Sequence, residues 1–231
     1  MKSIILAAGQ GSRMMPLTEK VPKCMVEFFG KPLLDYTIEN FSGFDIVLVT
    51  RYQHQEIRHE CVEKIHNEKY MQTTMADSLF VALKEDEDVV VSYSDIIYKK
   101  SVLEALMRDE NEFSVVVDRS WLNLWSLRTT DPLSDAETLV VEDGQIVEIG
   151  KKPDDFSKIQ GQYIGLIKLK KSVVPKVRKT YIETNPKHMT DLIQSCIESG
   201  VKVSPVWISG CWMEFDTPSD LCLTEYWKLF D

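Results

Sequence analysis

The feature that most restricts this chain is an apolar run, Ser3 to Ala8, that ends directly in a loop holding Gly9, Gly11, Ser12 and Arg13, followed by Pro16-Leu17-Thr18 and Pro22-Lys23. A buried strand that delivers small residues to a glycine-bearing loop makes a platform for a nucleotide. Leu6, Ala7 and Ala8 offer a backbone edge with methyl-sized side chains that a flat ring can approach. Gly9 and Gly11 allow the positive φ with which successive N–H groups converge on an anion. Arg13 and Lys23 add two cations where the outer phosphates of a nucleoside triphosphate would lie. Two other phosphate-binding patterns do not fit: the third glycine position of G-x-G-x-x-G is Met14, and G-x-x-x-x-G-K-[ST] is absent.

Behind this loop, apolar runs alternate with amphipathic stretches, the rhythm of a sheet with crossover helices. Leu33, Leu34, Ile38 and Phe41 fall at helical spacing, and strands are predicted over 45–50, 89–93 and 113–117. A helix covers 78–83, entered at Thr73 or Thr74, and Asp143-Gly144 predicts a hairpin over 138–150. Strands over 163–169 and 201–207 and helices over 188–199 and 218–229 complete one domain with an inserted β-rich lobe.

Asp and Glu number 36 against 27 Lys and Arg, and the net charge of −9 opposes binding to a nucleic-acid backbone. No apolar run nears the about 18 residues of a membrane span, and the N-terminus reaches glycine too early for a signal peptide. The 5 cysteines are scattered without a C-x-x-C pair, which predicts reduced packing thiols rather than disulfides or zinc. A cytoplasmic protein without nucleic-acid or membrane partners is expected, its 4 histidines solvated on the surface.

The string from Leu6 to Lys23 resembles the signature of the sugar-1-phosphate nucleotidyltransferases and of their relatives, the phosphocholine-type cytidylyltransferases. Those enzymes transfer NMP from an NTP to a phosphate and release pyrophosphate. The resemblance implies an α/β fold with a Rossmann-like mixed, mainly parallel sheet flanked by helices and a small β-rich acceptor-binding insertion. Within the single domain 1–231, about 1–118 would bind the NTP and 119–231 the acceptor. Arg13 and Lys23 would be catalytic. Leu6, Ala7, Ala8, Gly9, Gly11 and Ser12 would hold the nucleotide, together with Gln72, Thr73, Thr74 and Ser78 after the Lys69-Tyr70 pair. The Thr73-Thr74 pair reads equally as a helix N-cap. Mg²⁺, which takes hard oxygen ligands, would be held by Asp95 at the end of a strand and by Asp216 in Trp212-Met213-Glu214-Phe215-Asp216-Thr217, with Glu214 in reserve. Asp216 or Thr217 could also cap the last helix ahead of Pro218.

Between Asp118 and Arg128 lie Arg119, Trp121 and Trp125, and the two tryptophans, four apart, would share a helix face. Aromatic faces suit a quaternary ammonium, whereas arginines suit carboxylate or phosphate. This stretch, with Gly150-Lys151-Lys152-Pro153 and Gln162-Tyr163-Ile164-Gly165, resembles the phosphoglutamine-type branch of CTP-dependent cytidylyltransferases. The resemblance implies acceptor binding by Arg119, Trp121, Trp125, Arg128, Lys152, Gln162 and Tyr163, with Lys152 on the phosphate and Arg128 on a carboxylate. It also implies a place in capsule or surface-polysaccharide biosynthesis. The expected reaction is Mg²⁺-dependent transfer of CMP from CTP to a small phosphorylated acceptor. The alternatives are a phosphocholine cytidylyltransferase, a sugar-1-phosphate nucleotidyltransferase using another NTP, and a non-catalytic nucleotide-binding module.

Overall fold

The computed structural model describes residues 1–59, 62–68 and 74–230. A seven-stranded sheet runs through it in the order Ser204–Ile208, Phe113–Asp118, Gln162–Leu169, Val89–Tyr93, Lys2–Ala7, Asp45–Thr50, Glu63–His66. Gln162–Leu169 is antiparallel to both neighbours and the other pairings are parallel, so the sheet is mixed and mainly parallel, as expected. Val89-Val90-Val91 and Val115-Val116-Val117 are buried without alternation, as β-branched strands covered on both faces should be. The period of two decides which face each residue meets: Ile5 and Ala7 join a core with Leu34, Phe41 and Leu103, while Ile4 and Leu6 join one with Leu79, Leu192 and Ile193. The helices Leu33–Asn40, Lys100–Arg108 and Trp121–Arg128 accordingly cover one face, and Met75–Ala82, Val174–Thr184 and Met189–Glu198 the other.

The predicted hairpin pairs Leu139–Glu142 with Gln145–Ile149 through Asp143 at φ 47° and Gly144 at φ 76°, the positive values of a type I′ turn. A second antiparallel ribbon, unanticipated in sequence, joins Ile96–Tyr98 to Trp212–Glu214 with Glu214 opposite Ile96. The helices Lys100–Arg108 and Val174–Thr184 and the edge strand Glu63–His66 were likewise unanticipated. Two expectations need correction. The late strand begins at Ser204, because Val201 and Val203 pack into the core ahead of the ladder. The last helix is broken: a 3-10 turn over Pro218–Cys222, capped by Thr217 and Asp220, precedes a helix over Thr224–Lys228. Cys24 and Cys196 are buried, Cys211 is half-buried and Cys222 exposed, all as free thiols. Among the described residues no helix is long and apolar enough to cross a membrane.

Candidate active site

The glycine loop leaves the strand at its C-terminal edge, where ligands of open α/β sheets bind. Gly11 takes φ 65°, and its carbonyl accepts from the Thr18 hydroxyl at 2.9 Å. A Cβ at this glycine would stand 2.8 Å from Lys23 Cβ, so the missing side chain is what lets Lys23 pass directly behind the loop. Lys23 Nζ then donates to Asp95 Oδ2 at 2.7 Å and to Asp216 Oδ1 at 2.8 Å. Arg13 Nη2 donates to the same Asp216 oxygen at 2.9 Å. Burial alone would depress the Lys23 amine, but Asp95 and Asp216 outweigh it and hold it above its ordinary value. Burial would raise Asp216, and Lys23, Arg13 and Arg128 reverse this and hold its carboxyl below the usual range.

The second ribbon brings the two aspartates together. With Glu214 opposite Ile96, the Phe215 N–H donates to the Asp95 carbonyl at 2.9 Å, and Asp216 follows at the ribbon's end. The strand carrying Glu214 is anchored from behind by Asp118, a buried carboxylate that accepts from Trp212 Nε1 at 2.8 Å and from the Ser120 and Gly210 N–H groups at 2.8 and 2.9 Å. On the far side, Asp220 Oδ2 accepts from the N–H groups of Asp216 and Thr217 at 2.7 and 2.8 Å. The sequence gives Asp118 no role beyond its place in the arginine- and tryptophan-bearing run, and Asp220 shows itself only through the Thr217-x-x-Asp220 capping spacing.

Arg128 departs from expectation. Its side chain is only 7% exposed, and its guanidinium is engaged by Glu214, by Asp220 Oδ1 at 3.0 Å and by Asp216 Oδ2 at 3.3 Å, while stacking over Trp125 at 5.3 Å. It supports the carboxylates from within the protein instead of facing an acceptor. Burial pushes the Glu214 carboxyl up, against the pull of Arg128 and with help from Asp216 and Asp95.

A cleft of about 480 Å³ opens beside this cluster, and Arg13, Thr74, Trp125, Gln162, Tyr163, Glu214 and Asp216 are among the residues that line it. Thr74 also caps the helix Met75–Ala82 in a capping box with Asp77. Leu6, Ala7 and Ala8 are buried at the end of their strand, and Gly9 and Ser12 are exposed beyond it. Gly165, at φ 89°, leaves room for the Tyr93 ring, which meets the Tyr163 ring edge-on at 5.9 Å.

Other expected residues lie elsewhere. The Ser78 hydroxyl is turned inward, donating to the Thr74 carbonyl and accepting from Asn67 Nδ2. Arg119 stacks on Trp207 at 4.2 Å, and Trp121 is buried against Trp125 and Phe156; neither lines the cleft. Lys152 Nζ donates to the carbonyls of Leu133 and Ser134, which ties down the short helix Pro132–Asp135, and it does not line the cleft. Gln72 and Thr73 lie outside the described residues. Conversely, Asp135, Glu137, Lys187, His188 and Thr190 line the cleft without having been singled out. The histidines also differ from a uniformly solvated set: His188 faces the cleft and His59 pairs with Asp35 at 2.7 Å.

Fold and site together define a nucleotidyltransferase. Residues 3–144 match the family described as the MobA-like NTP transferase domain, and the chain belongs to that family. It is 36% identical to CTP:phosphoglutamine cytidylyltransferase of Campylobacter jejuni, over 96% of this chain and 98% of that one. It is 27% identical to the bifunctional protein GlmU of Methanocaldococcus jannaschii, over 96% of this chain but 52% of that longer protein. Two solved structures share the fold. The inositol-1-phosphate CTP transferase from T. maritima has a TM-score of 0.77 at 23% identity, covering 99% of this chain and 94% of that one. CTP:phosphocholine cytidylyltransferase from Streptococcus pneumoniae has a TM-score of 0.72 at 20% identity, covering 100% and 99%.

Proposed function

We propose that the protein transfers CMP from CTP to a phosphorylated amino-acid acceptor of the phosphoglutamine kind. The observation that carries this reading is the convergence of Lys23, Asp95 and Asp216 beside the glycine loop, in a chain similar along nearly its whole length to a cytidylyltransferase. An acceptor phosphate oxygen attacks the α-phosphorus of CTP in line with the bridge to the β-phosphate. The new P–O bond forms as the α–β bridge breaks, and pyrophosphate leaves with the electron pair. The acceptor phosphate is already anionic near neutral pH, so the protein's work is positioning and charge neutralisation rather than proton removal. Arg13 and Lys23 oppose the charge that accumulates on the leaving pyrophosphate.

The same residues fit Mg²⁺. Two carboxylate oxygens converge on one point, where in this structure they hold the Lys23 ammonium, a cation, between them. Asp95 and Asp216 would hold Mg²⁺ there, with oxygens of the bound phosphates as its further hard ligands. When bound there, Mg²⁺ supplies further neutralisation of phosphate charge.

With Arg128 engaged inside the protein, Lys187 and His188 are the cleft's other basic residues besides Arg13, and they favour an acceptor that carries negative charge. Pyrophosphate release from CTP with phosphoglutamine, exceeding that with phosphocholine or a sugar 1-phosphate, is the expected result. Release only with a sugar 1-phosphate would replace the reading.

A further inference from the structure

The end of the cleft away from Lys23 carries an acidic group that the transfer chemistry does not use. Glu137 lines the cleft, its carboxylate hydrogen-bonded by Thr190 and drawn on electrostatically by His188, and it takes part in none of the ion pairs among the described residues. Its position is fixed by Gln162, whose side-chain amide closes a two-point clamp on the Glu137 backbone. Oε1 accepts from the Glu137 N–H at 3.1 Å and Nε2 donates to the Glu137 carbonyl at 2.6 Å. Gln162 is itself 5% exposed, so the clamp is held rigidly by the sheet from which it comes. With both ends of its amide spent, Gln162 has little left to offer an acceptor directly.

The same cleft holds an unmet donor. Trp125 is 4% exposed and lines the cleft, and its indole N–H has no hydrogen-bond partner. A buried N–H without a partner costs free energy that a ligand oxygen would recover. A carboxylate met by the Thr190 hydroxyl but by no ion-pair partner, and a tryptophan N–H with no partner, are complementary to a molecule that brings both a cation and an anionic oxygen.

We infer that Glu137 selects the acceptor by pairing with its ammonium group, that Trp125 Nε1 donates to its carboxylate, and that Gln162 is the positioning residue for Glu137. The acceptor class is a zwitterionic phosphorylated amino acid. The inference deepens the proposed function and rests on it. Burial raises the Glu137 carboxyl above its ordinary value while His188 and the Thr190 hydroxyl oppose the shift, and a bound ammonium would favour the charged form further.

The test compares kcat/KM for phosphoglutamine, its analogue lacking the α-amino group, its α-carboxamide and phosphocholine, in wild type, Glu137→Gln, Glu137→Asp, Gln162→Leu and Trp125→Phe. Loss of a charged hydrogen bond in such a pocket corresponds to about tenfold to a hundredfold. Wild type should prefer the amino-bearing acceptor over its deamino analogue by that factor. Glu137→Gln and Gln162→Leu should collapse the ratio without altering KM for CTP, and Glu137→Asp, which keeps the charge, should retain much of it. Trp125→Phe should instead narrow the preference for carboxylate over carboxamide. A Glu137→Gln variant with an unchanged ratio, or with equal loss on both acceptors, overturns the inference while leaving phosphoglutamine transfer standing. If phosphocholine proves the best acceptor and Glu137→Gln impairs it selectively, ammonium pairing holds and the phosphoglutamine reading falls. Turnover with sugar 1-phosphates alone overturns both.

Discussion

The indole of Trp212 donates a 2.8 Å hydrogen bond to the carboxylate of Asp118, which is 0% exposed and lies 94 positions away in sequence. That bond ties the short strand Trp212–Glu214 to the end of Phe113–Asp118, and so determines where Asp216 emerges beside Lys23. Trp212→Phe keeps the ring and removes the donor, leaving one oxygen of a buried carboxylate unmet. A loss of about 1–3 kcal/mol in urea unfolding is expected, with a fall in turnover as the ribbon loosens. A variant as stable and active as wild type would mean the bond carries no structural weight.

Lys23→Ala separates two contributions of one side chain. Turnover should fall by about two orders of magnitude, because the lost charge acts where negative charge accumulates. Asp95 and Asp216 would then face each other without their ammonium, so Mn²⁺ should bind the nucleotide-free variant more tightly than wild type. Titration followed by electron paramagnetic resonance reads this directly, and unchanged Mn²⁺ affinity would argue against a shared ion position.

Arg128→Met should damage stability before selectivity. The guanidinium serves Glu214, Asp216 and Asp220 at once, and removing one partner from a buried ionic cluster costs about 3–5 kcal/mol. Chemical denaturation should show this loss, with little change in the ratio of carboxylate-bearing to neutral acceptors. A stable variant with an altered ratio would return Arg128 to acceptor binding.

Gly11→Ala tests the close passage of Lys23 behind the loop. The added Cβ would meet Lys23 Cβ at 2.8 Å on a backbone at φ 65°, a left-handed conformation that costs an alanine about 1–2 kcal/mol. Displacement of Lys23 should raise KM for the nucleotide and lower kcat. Wild-type constants in Gly11→Ala would show that the loop relaxes freely.

What was legible in the sequence is what local chemistry dictates. Asp143-Gly144 can make few turns other than the one observed, Thr74 and Asp77 stand at capping-box spacing, and the glycine loop identifies itself by its order of small, cationic and turn residues. The pairing of Asp95 with Asp216 rests in sequence on the order of a resembling family, since nothing local to either announces the ribbon that brings both to Lys23. Arg128 is illegible in sequence because an arginine near tryptophans reads the same whether it faces a ligand or three carboxylates 86 to 92 positions away. Glu137 and His188 sit in unremarkable polar stretches and gain meaning only when the hairpin lobe and the helix Met189–Glu198 close around the cleft. The helix Lys100–Arg108 did carry a signal, with Val102, Leu103 and Leu106 buried along one face, whereas Pro175 in the first turn of Val174–Thr184 obscured that helix.

The central claim, nucleotidyl transfer from CTP to a phosphorylated amino acid, is tested most directly by pyrophosphate release with CTP, UTP, dTTP and GTP against phosphoglutamine, phosphocholine and glucose 1-phosphate in the presence of Mg²⁺. The highest kcat/KM is expected for CTP with phosphoglutamine, with activity abolished by EDTA and strongly reduced in Asp95→Asn and Asp216→Asn. Equal or greater turnover of UTP or dTTP with glucose 1-phosphate, or release that persists in both aspartate variants, would contradict the account.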